Sequence, residues 1–290
     1  MSLTKRKRAT ISPAVKIPKM RALKKVLSDT DPPPFQVLNQ RGNGMGLVIC
    51  DHASNRVPRA LKGLGLQKHD LNRHIGWDIG TEDVGKRIGK ELDMPIVLAN
   101  YSRLVVDLNR APHHSECIPE VSDKTIIIAN NDLSKKAKEQ RLREIFWPYQ
   151  KQLEKQINRL LRKGRPFLLA VHSFTPELND VKRPWHMSVL WNKQEKIAKR
   201  LIAEIRRRDP SLLVGSNEPY TLKDERFTGS TMYRHAEERD LPYVFVEFRQ
   251  DLIDTKEKAA HWANVFLQAL RPILDELTSL QAGPNSPRKK

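Results

Sequence analysis

The sequence predicts an α/β fold with a mostly parallel, mixed central sheet and helices on both faces. Three observations predict it. Short apolar runs alternate along the chain with longer segments whose apolar residues recur at helical spacing. Such alternation favours parallel strand pairing, because each helix returns the chain to the same end of the sheet. Polar residues capable of chemistry follow directly on several apolar runs, at the sheet edge where ligands of these folds bind.

The elements follow in order. Gly46-Leu-Val-Ile-Cys50 is a buried strand behind a glycine-containing turn. Ile79, Val84, Ile88 and Leu92 form a stripe that predicts a helix over residues 80–92, with Gly85 and Gly89 allowing close packing. Pro95 to Leu98 is the next strand. Ser134 is placed to cap a long charged helical stretch that ends at Gly164 and is kinked or broken before Pro148. Phe167–Val171 and His186–Trp191 read as strands, residues 194–208 as a helix and Leu212–Val214 as a short strand. Residues 231–239 are predicted helical, Tyr243–Val246 a strand and residues 256–278 a closing helix.

Composition and charge narrow the function classes. Hydrophobic residues make up 39% of the 290 and charged residues 30%, which is too apolar for a wholly disordered chain. No stretch approaches the roughly 20 apolar residues of a membrane helix. The basic N-terminus lacks a following apolar segment, so no secretory signal is expected, and two cysteines read as reduced thiols of a cytoplasmic protein. The net charge is +18, but residues 1–30 hold nine Lys/Arg against one acid, and Arg288, Lys289 and Lys290 add three more. Eleven of the eighteen charges therefore sit at the ends. Residues 1–40 are read as a basic, proline-containing flexible arm, 41–280 as one α/β domain and 281–290 as a basic tail. Contact of the arm with nucleic acid or another polyanion would be non-specific.

The chemistry-bearing residues follow three apolar runs: Asp51-His52 after the first, His172-Ser173 after the 167–171 run and Glu247 after the 243–246 run. Trp77-Asp78-Ile79-Gly80 adds an acid just before a helix. Two imidazoles and a carboxylate suit a catalytic Zn²⁺, with a further carboxylate to take a proton from water. Alternatively, His52 and His172 are hydrogen-bonded residues at the core edge and Asp78 caps a helix. In the run Tyr101-Ser-Arg-Leu-Val-Val-Asp-Leu-Asn-Arg110, Asp107 is available as partner to two arginines. Those arginines read either as a structural pair with it or as a clamp for an anionic substrate. Arg183-Pro-Trp-His186 is a basic and aromatic segment, either a pocket wall or a lead into the next strand, and Asn217-Glu-Pro-Tyr220 is a loop. His235 reads as a surface or packing residue.

Taken together, these runs resemble the N-formylglutamate amidohydrolase family from about Gly46 to about Leu277. The resemblance rests on Cys50-Asp-His-Ala-Ser-Asn55, Gly76-Trp-Asp-Ile-Gly80, Tyr101 to Arg110, His172-Ser-Phe-Thr-Pro176, Arg183 to His186, Asn217 to Tyr220 and Glu247-Phe-Arg-Gln-Asp251. Their order is also similar to that in zinc carboxypeptidases, which implies a zinc-exopeptidase-like fold. By that resemblance His52 and His172 become zinc ligands, Asn109 and Arg110 carboxylate binders with Arg103 and Arg183 in support, and Glu247 the general base. Carboxypeptidases carry a Glu ligand three residues after the first His, where this sequence has Asn55. A neutral amide is a poor zinc donor, so the third ligand is expected to be Asp78, with Glu82 in reserve. The implied reaction is zinc-dependent hydrolysis of a small anionic N-acyl amino acid, N-formyl-L-glutamate giving formate and glutamate. Another N-acyl amino acid or small peptide is the alternative substrate, and a non-catalytic polyanion-binding module the alternative role.

Overall fold

A computed structural model describes residues 23–282 of the chain. Seven strands form the central sheet: β1 (Phe35–Leu38), β2 (Gly46–Cys50), β3 (Ile96–Ala99), β4 (Phe167–Phe174), β5 (Met187–Leu190), β6 (Val214–Ser216) and β7 (Tyr243–Arg249). Their spatial order is β1-β3-β2-β4-β7-β5-β6. The central strands β3, β2, β4 and β7 are mutually parallel. β1 and β5 run antiparallel to their inner neighbours, and β6 is parallel to β5. This is the mixed, mostly parallel sheet expected.

The central strands are apolar throughout because both faces are covered. Leu47, Ile49, Leu168, Ala170 and Phe245 face a cluster that includes Tyr149, Leu153 and Ile157 of helix α3 (Trp147–Leu161). The alternate residues Val48, Cys50, Leu169, Val171 and Val246 face the other way. They meet α1 (Thr81–Glu91), α4 (Glu195–Arg208) and α6 (Lys256–Ala282). Gly85 sets α1 against β2: a Cβ there would lie 2.5 Å from the Cys50 sulfur.

Several expectations are corrected. Ser134 caps α2 (Lys135–Arg141), its side chain accepting from Ala137 N–H. The helix then continues through a π-helical turn, Leu142–Phe146, into α3, so the chain is not broken at Pro148. The π-helical turn directly before Pro148 lets the helix pass a residue whose ring and missing amide hydrogen would break a regular α-helical turn. Residues 231–239 divide into α5 (Thr231–His235) and a 3₁₀ turn, Glu237–Arg239. The strand expected at 212–214 begins at Val214.

Part of the segment read as an arm is folded. Phe35–Leu38 pairs with Ile96–Ala99 as an edge strand. Before it, Val26 is buried, and the amides of Val26 and Leu27 donate to the Glu144 carboxylate. Low apolar periodicity marks an edge segment as readily as a free one, since only part of its surface is covered. The folded domain therefore reaches back to residue 23. The basic residues at positions 5–21 and 288–290 lie outside the described residues. Among the described residues no helix is long and apolar enough to cross a membrane.

Candidate active site

Three adjacent parallel strands deliver the site at their carboxyl ends. His52 follows β2, His172 lies near the end of β4, and Glu247 sits opposite His172 in the β4–β7 register. Asp78 comes from the loop before α1. Its N–H donates to the His52 carbonyl, which ties that loop to the end of β2. Gly80 makes the loop's sharp turn with φ +82°, and a Cβ there would lie 2.1 Å from the Ile253 carbonyl oxygen. A residue with a side chain fits neither the dihedral nor the space.

One ligating atom from each of His52, Asp78 and His172 lies within 4.8 Å of the others, all three residues buried. Asp78 Oδ2 lies 2.8 Å from His172 Nδ1 and 3.3 Å from His52 Nδ1. Each imidazole turns its other nitrogen towards a second carboxylate. His52 Nε2 is 2.7 Å from Asp107 Oδ1, and His172 Nε2 is 3.6 Å from Asp51 Oδ2. The longer separation makes Asp51 a charge beside His172 rather than a hydrogen-bond acceptor. Tyr149 donates to the other oxygen of Asp51 at 2.7 Å and fixes the carboxylate.

The field of these groups favours positive charge between them. Burial opposes ionisation of Asp78, yet the His52 and His172 imidazoles hold its carboxyl far below the usual range. Burial likewise opposes protonation of His172, and the Asp51 and Asp78 carboxylates push it up to about 10. Asp107 is held low against burial by Arg103 and His52. Glu247 behaves in the opposite way. Burial raises it to about 7, with Asp78 adding to the rise while His172, Arg103 and His52 pull against it. Its Oε2 is buried without a hydrogen-bond partner among the described residues.

These residues fit a divalent cation. Two imidazole nitrogens and one carboxylate oxygen are the donors of a catalytic zinc site, which keeps a further position open. A ligating imidazole offers Nδ1 only when Nε2 carries the proton, and a carboxylate facing Nε2 fixes that tautomer. Asp107 does so for His52, and Asp51 faces His172. The unpartnered oxygens of Asp51 and Glu247 fit the same picture, since a buried polar atom without a partner is costly unless something fills the need. The expected reserves are placed elsewhere. Asn55 donates to Asn72 Oδ1, and Glu82 pairs with Lys86 on the exposed face of α1.

The arginines divide into different tasks. Arg103 gives Nε and Nη2 to Asp107 and Nη1 to Asp78, so it braces two carboxylates while lining the cavity. Asn109 is buried, with its side-chain oxygen accepting from Thr231 N–H. Arg110 donates to Glu116 and to the Asn109 carbonyl, and its guanidinium lies over the Phe227 ring. Arg183 is 8% exposed, with no carboxylate partner among the described residues. It stacks 4.9 Å over the Tyr220 ring and donates to the Tyr220 hydroxyl at 2.9 Å. His235, read as a surface or packing residue, is a buried packing residue 2.7 Å from Gln150 Oε1.

Asp51, Tyr149, Tyr220 and Arg141 were not marked as site residues. Asp51 adjoins His52, and Tyr220 closes the run from Asn217, so both lie in segments that carry the family resemblance, which is a usable signal. Tyr149 lies 98 positions from Asp51, and no local pattern joins them. Arg141 is fully buried and donates to the Val105 carbonyl and to Asn130 Oδ1, while Asn130 donates to the Leu104 carbonyl. This pair holds the loop that carries residues 102–110.

An inner cavity of about 120 Å³ stands over the cluster, lined among others by His52, Asp78, His172, Arg110, Tyr220 and Glu247. It adjoins an outer cleft of about 330 Å³.

In the solved structure of a gene product of Agrobacterium tumefaciens, 27% identical, the match covers 88% of this chain and 99% of that one with a TM-score of 0.82. The N-formylglutamate amidohydrolase of Ralstonia eutropha JMP134 is 14% identical over 86% of this chain and 99% of its own, with a TM-score of 0.57, and shares the fold. A metallo-carboxypeptidase from Burkholderia cenocepacia is also found, 12% identical over 85% of this chain and 66% of its own, with a TM-score of 0.39. No curated protein matches the chain in sequence. The family model for N-formylglutamate amidohydrolase matches residues 46–254, most of the chain. The chain therefore belongs to the N-formylglutamate amidohydrolase family and is a hydrolase of amide bonds.

Proposed function

We propose that the protein is a zinc-dependent amidohydrolase of small anionic N-acyl amino acids, with N-formyl-L-glutamate as the family's substrate. The observation that carries this reading is the buried convergence of His52, Asp78 and His172 beside Glu247, whose Oε2 has no hydrogen-bond partner among the described residues. A zinc ion held by that triad would polarise the scissile carbonyl and acidify a water. Glu247 accepts the proton from water and delivers it to the leaving nitrogen. Its raised proton affinity suits a group that must take and then release a proton near neutrality. Asn109 and Arg110 at the cavity wall hold the substrate carboxylate, which fixes the position of the acyl carbon relative to Glu247. Arg183 supports a second carboxylate through Tyr220, whose hydroxyl accepts from Arg183 and keeps its own proton to donate into the cavity. The buried free thiols of Cys50 and Cys117 suit a reducing, cytoplasmic setting.

The test is Glu247→Gln. It keeps the shape and removes the base, so the variant should retain wild-type zinc on elemental analysis and lose roughly 10²- to 10⁴-fold in kcat on N-formyl-L-glutamate. Normal turnover would remove Glu247 as base. A folded wild-type protein with no zinc affinity would remove the metal from the reading.

A further inference from the structure

Strand β5 reads Met187-Ser-Val-Leu190, and its residues are buried throughout. Ser188 is fully buried, and its hydroxyl has no hydrogen-bond partner among the described residues. Strands covered on both faces are expected to be apolar, and a buried hydroxyl left unpaired is destabilising. An alanine would occupy the same place without that cost.

The sheet register supplies a use for the hydroxyl. Ser188 stands directly opposite Glu247 in the antiparallel β5–β7 pair, and Glu247 stands opposite His172 in the parallel β7–β4 pair. Directly opposed residues leave the sheet on the same face, with Cβ atoms about 4.5–5.5 Å apart. Two residues along each strand, Leu190 and Phe245 pack together on that face. The row His172, Glu247, Ser188 therefore crosses three strands on the side of the sheet that holds the site. Glu247 lines the inner cavity, yet its Oε2 is buried without a hydrogen-bond partner among the described residues. Two unpaired buried polar atoms thus belong to neighbouring side chains, and one is a donor where the other is an acceptor.

On its other side Ser188 faces Gly215 of β6, its partner in the parallel β5–β6 pair. The hydroxyl leans that way: a Cβ on Gly215 would lie 2.1 Å from Ser188 Oγ. A staggered step about the Cα–Cβ bond swings the oxygen off Gly215 and back towards β7. We propose that Ser188 is a positioning residue for Glu247, its hydroxyl turning from Gly215 to donate to Oε2 and leaving the other carboxylate oxygen to serve the cavity. The inference rests on the reading of Glu247 as the base. A carboxylate held at one oxygen presents the other in one orientation, and a misplacement of about 1 Å can cost roughly 10²-fold in rate.

The test sets two variants of one shape against each other on the full chain. Ser188→Thr keeps the hydroxyl and adds a methyl that can take the room over Gly215; Ser188→Val has that shape without the hydroxyl. With N-formyl-L-glutamate as substrate, Ser188→Val and Ser188→Ala should lose about tenfold or more in kcat, with KM and zinc content within about twofold of wild type. Ser188→Thr should recover most of that loss. A crystal structure of the zinc-loaded wild type should place Oγ about 2.7 Å from Glu247 Oε2. Wild-type kcat in Ser188→Val overturns the role, as does a Ser188→Thr protein as slow as Ser188→Val, or a zinc-loaded structure with Oγ still over Gly215. A wild type that turns over no N-formyl-L-glutamate, or a Glu247→Gln protein of normal turnover, removes the functional reading and this role with it. An inactive Glu247→Gln beside fully active Ser188 variants leaves that reading standing and removes the role alone.

Discussion

Replacing Asp107 with Asn removes one charge from the floor of the site while keeping its shape, and its consequence can be worked from the contacts. The carboxylate accepts from His52 Nε2 at 2.7 Å, from Arg103 at 3.1 and 2.8 Å, and from Asn109 N–H at 2.9 Å. An amide offers one acceptor oxygen and an NH₂ group. With its oxygen kept on Arg103, the NH₂ faces the Nε2 of His52. The imidazole then either loses that bond or moves its proton to Nδ1, and a protonated Nδ1 cannot ligate a metal. Loss of such a carboxylate partner typically costs 10- to 100-fold in metal affinity, about 1.4 to 2.8 kcal/mol. Folding stability should fall by about 2 kcal/mol, since Arg103 loses part of a charge-assisted pair but keeps Asp78 and is 26% exposed. Competition for zinc against a chromogenic chelator reads the first effect, and urea unfolding reads the second. A folded Asp107→Asn protein that holds zinc as tightly as the wild type would refute the role given to this carboxylate.

Two further outcomes are expected. Burial, with Arg234 beside it, lowers the His235 proton affinity from 6.5 to about 4. Between those values the unfolded chain binds more protons than the folded one, so this contribution is complete above about pH 6.5 and is lost as pH falls towards 4. Wild-type stability measured by urea unfolding should drop by about 2 kcal/mol more than that of His235→Gln between pH 7.5 and pH 5; parallel pH profiles would contradict it. Gly80→Ala forces a side chain into a left-handed turn against the Ile253 carbonyl. It should destabilise the fold by about 2 kcal/mol or more and weaken zinc binding by displacing Asp78, and an unchanged urea midpoint would show that the turn relaxes freely.

Much of the fold was legible because it is carried by local pattern. The strands at 46–50, 167–171 and 243–246 read as apolar runs, the last two extended by the structure to 174 and 249, and α1 as an amphipathic stripe, since burial on one or both faces leaves a period in the chain itself. The strand Phe35–Leu38 was missed for the converse reason. An edge strand is half exposed, and polyproline before it masks a weak pattern. The π-helical passage across residues 142–146 was likewise invisible, because its hydrogen-bond shift changes no residue type.

The site divides along the same line. The residue types available to bind a cation and move a proton, and their place behind apolar runs, were written in the order of the chain. Tertiary structure decided which of them meet. Asp78 meets the two imidazoles and Asn55 does not, because the loop turning at Gly80 is tied to the end of β2. Arg103 braces carboxylates because Asp78 and Asp107, 29 positions apart, both come within its reach. Tyr149 reaches Asp51 from a helix on the opposite side of nearly 100 residues of chain. Short-range pattern records what one segment buries, whereas distance and charge between remote segments exist only once the sheet has brought their ends together.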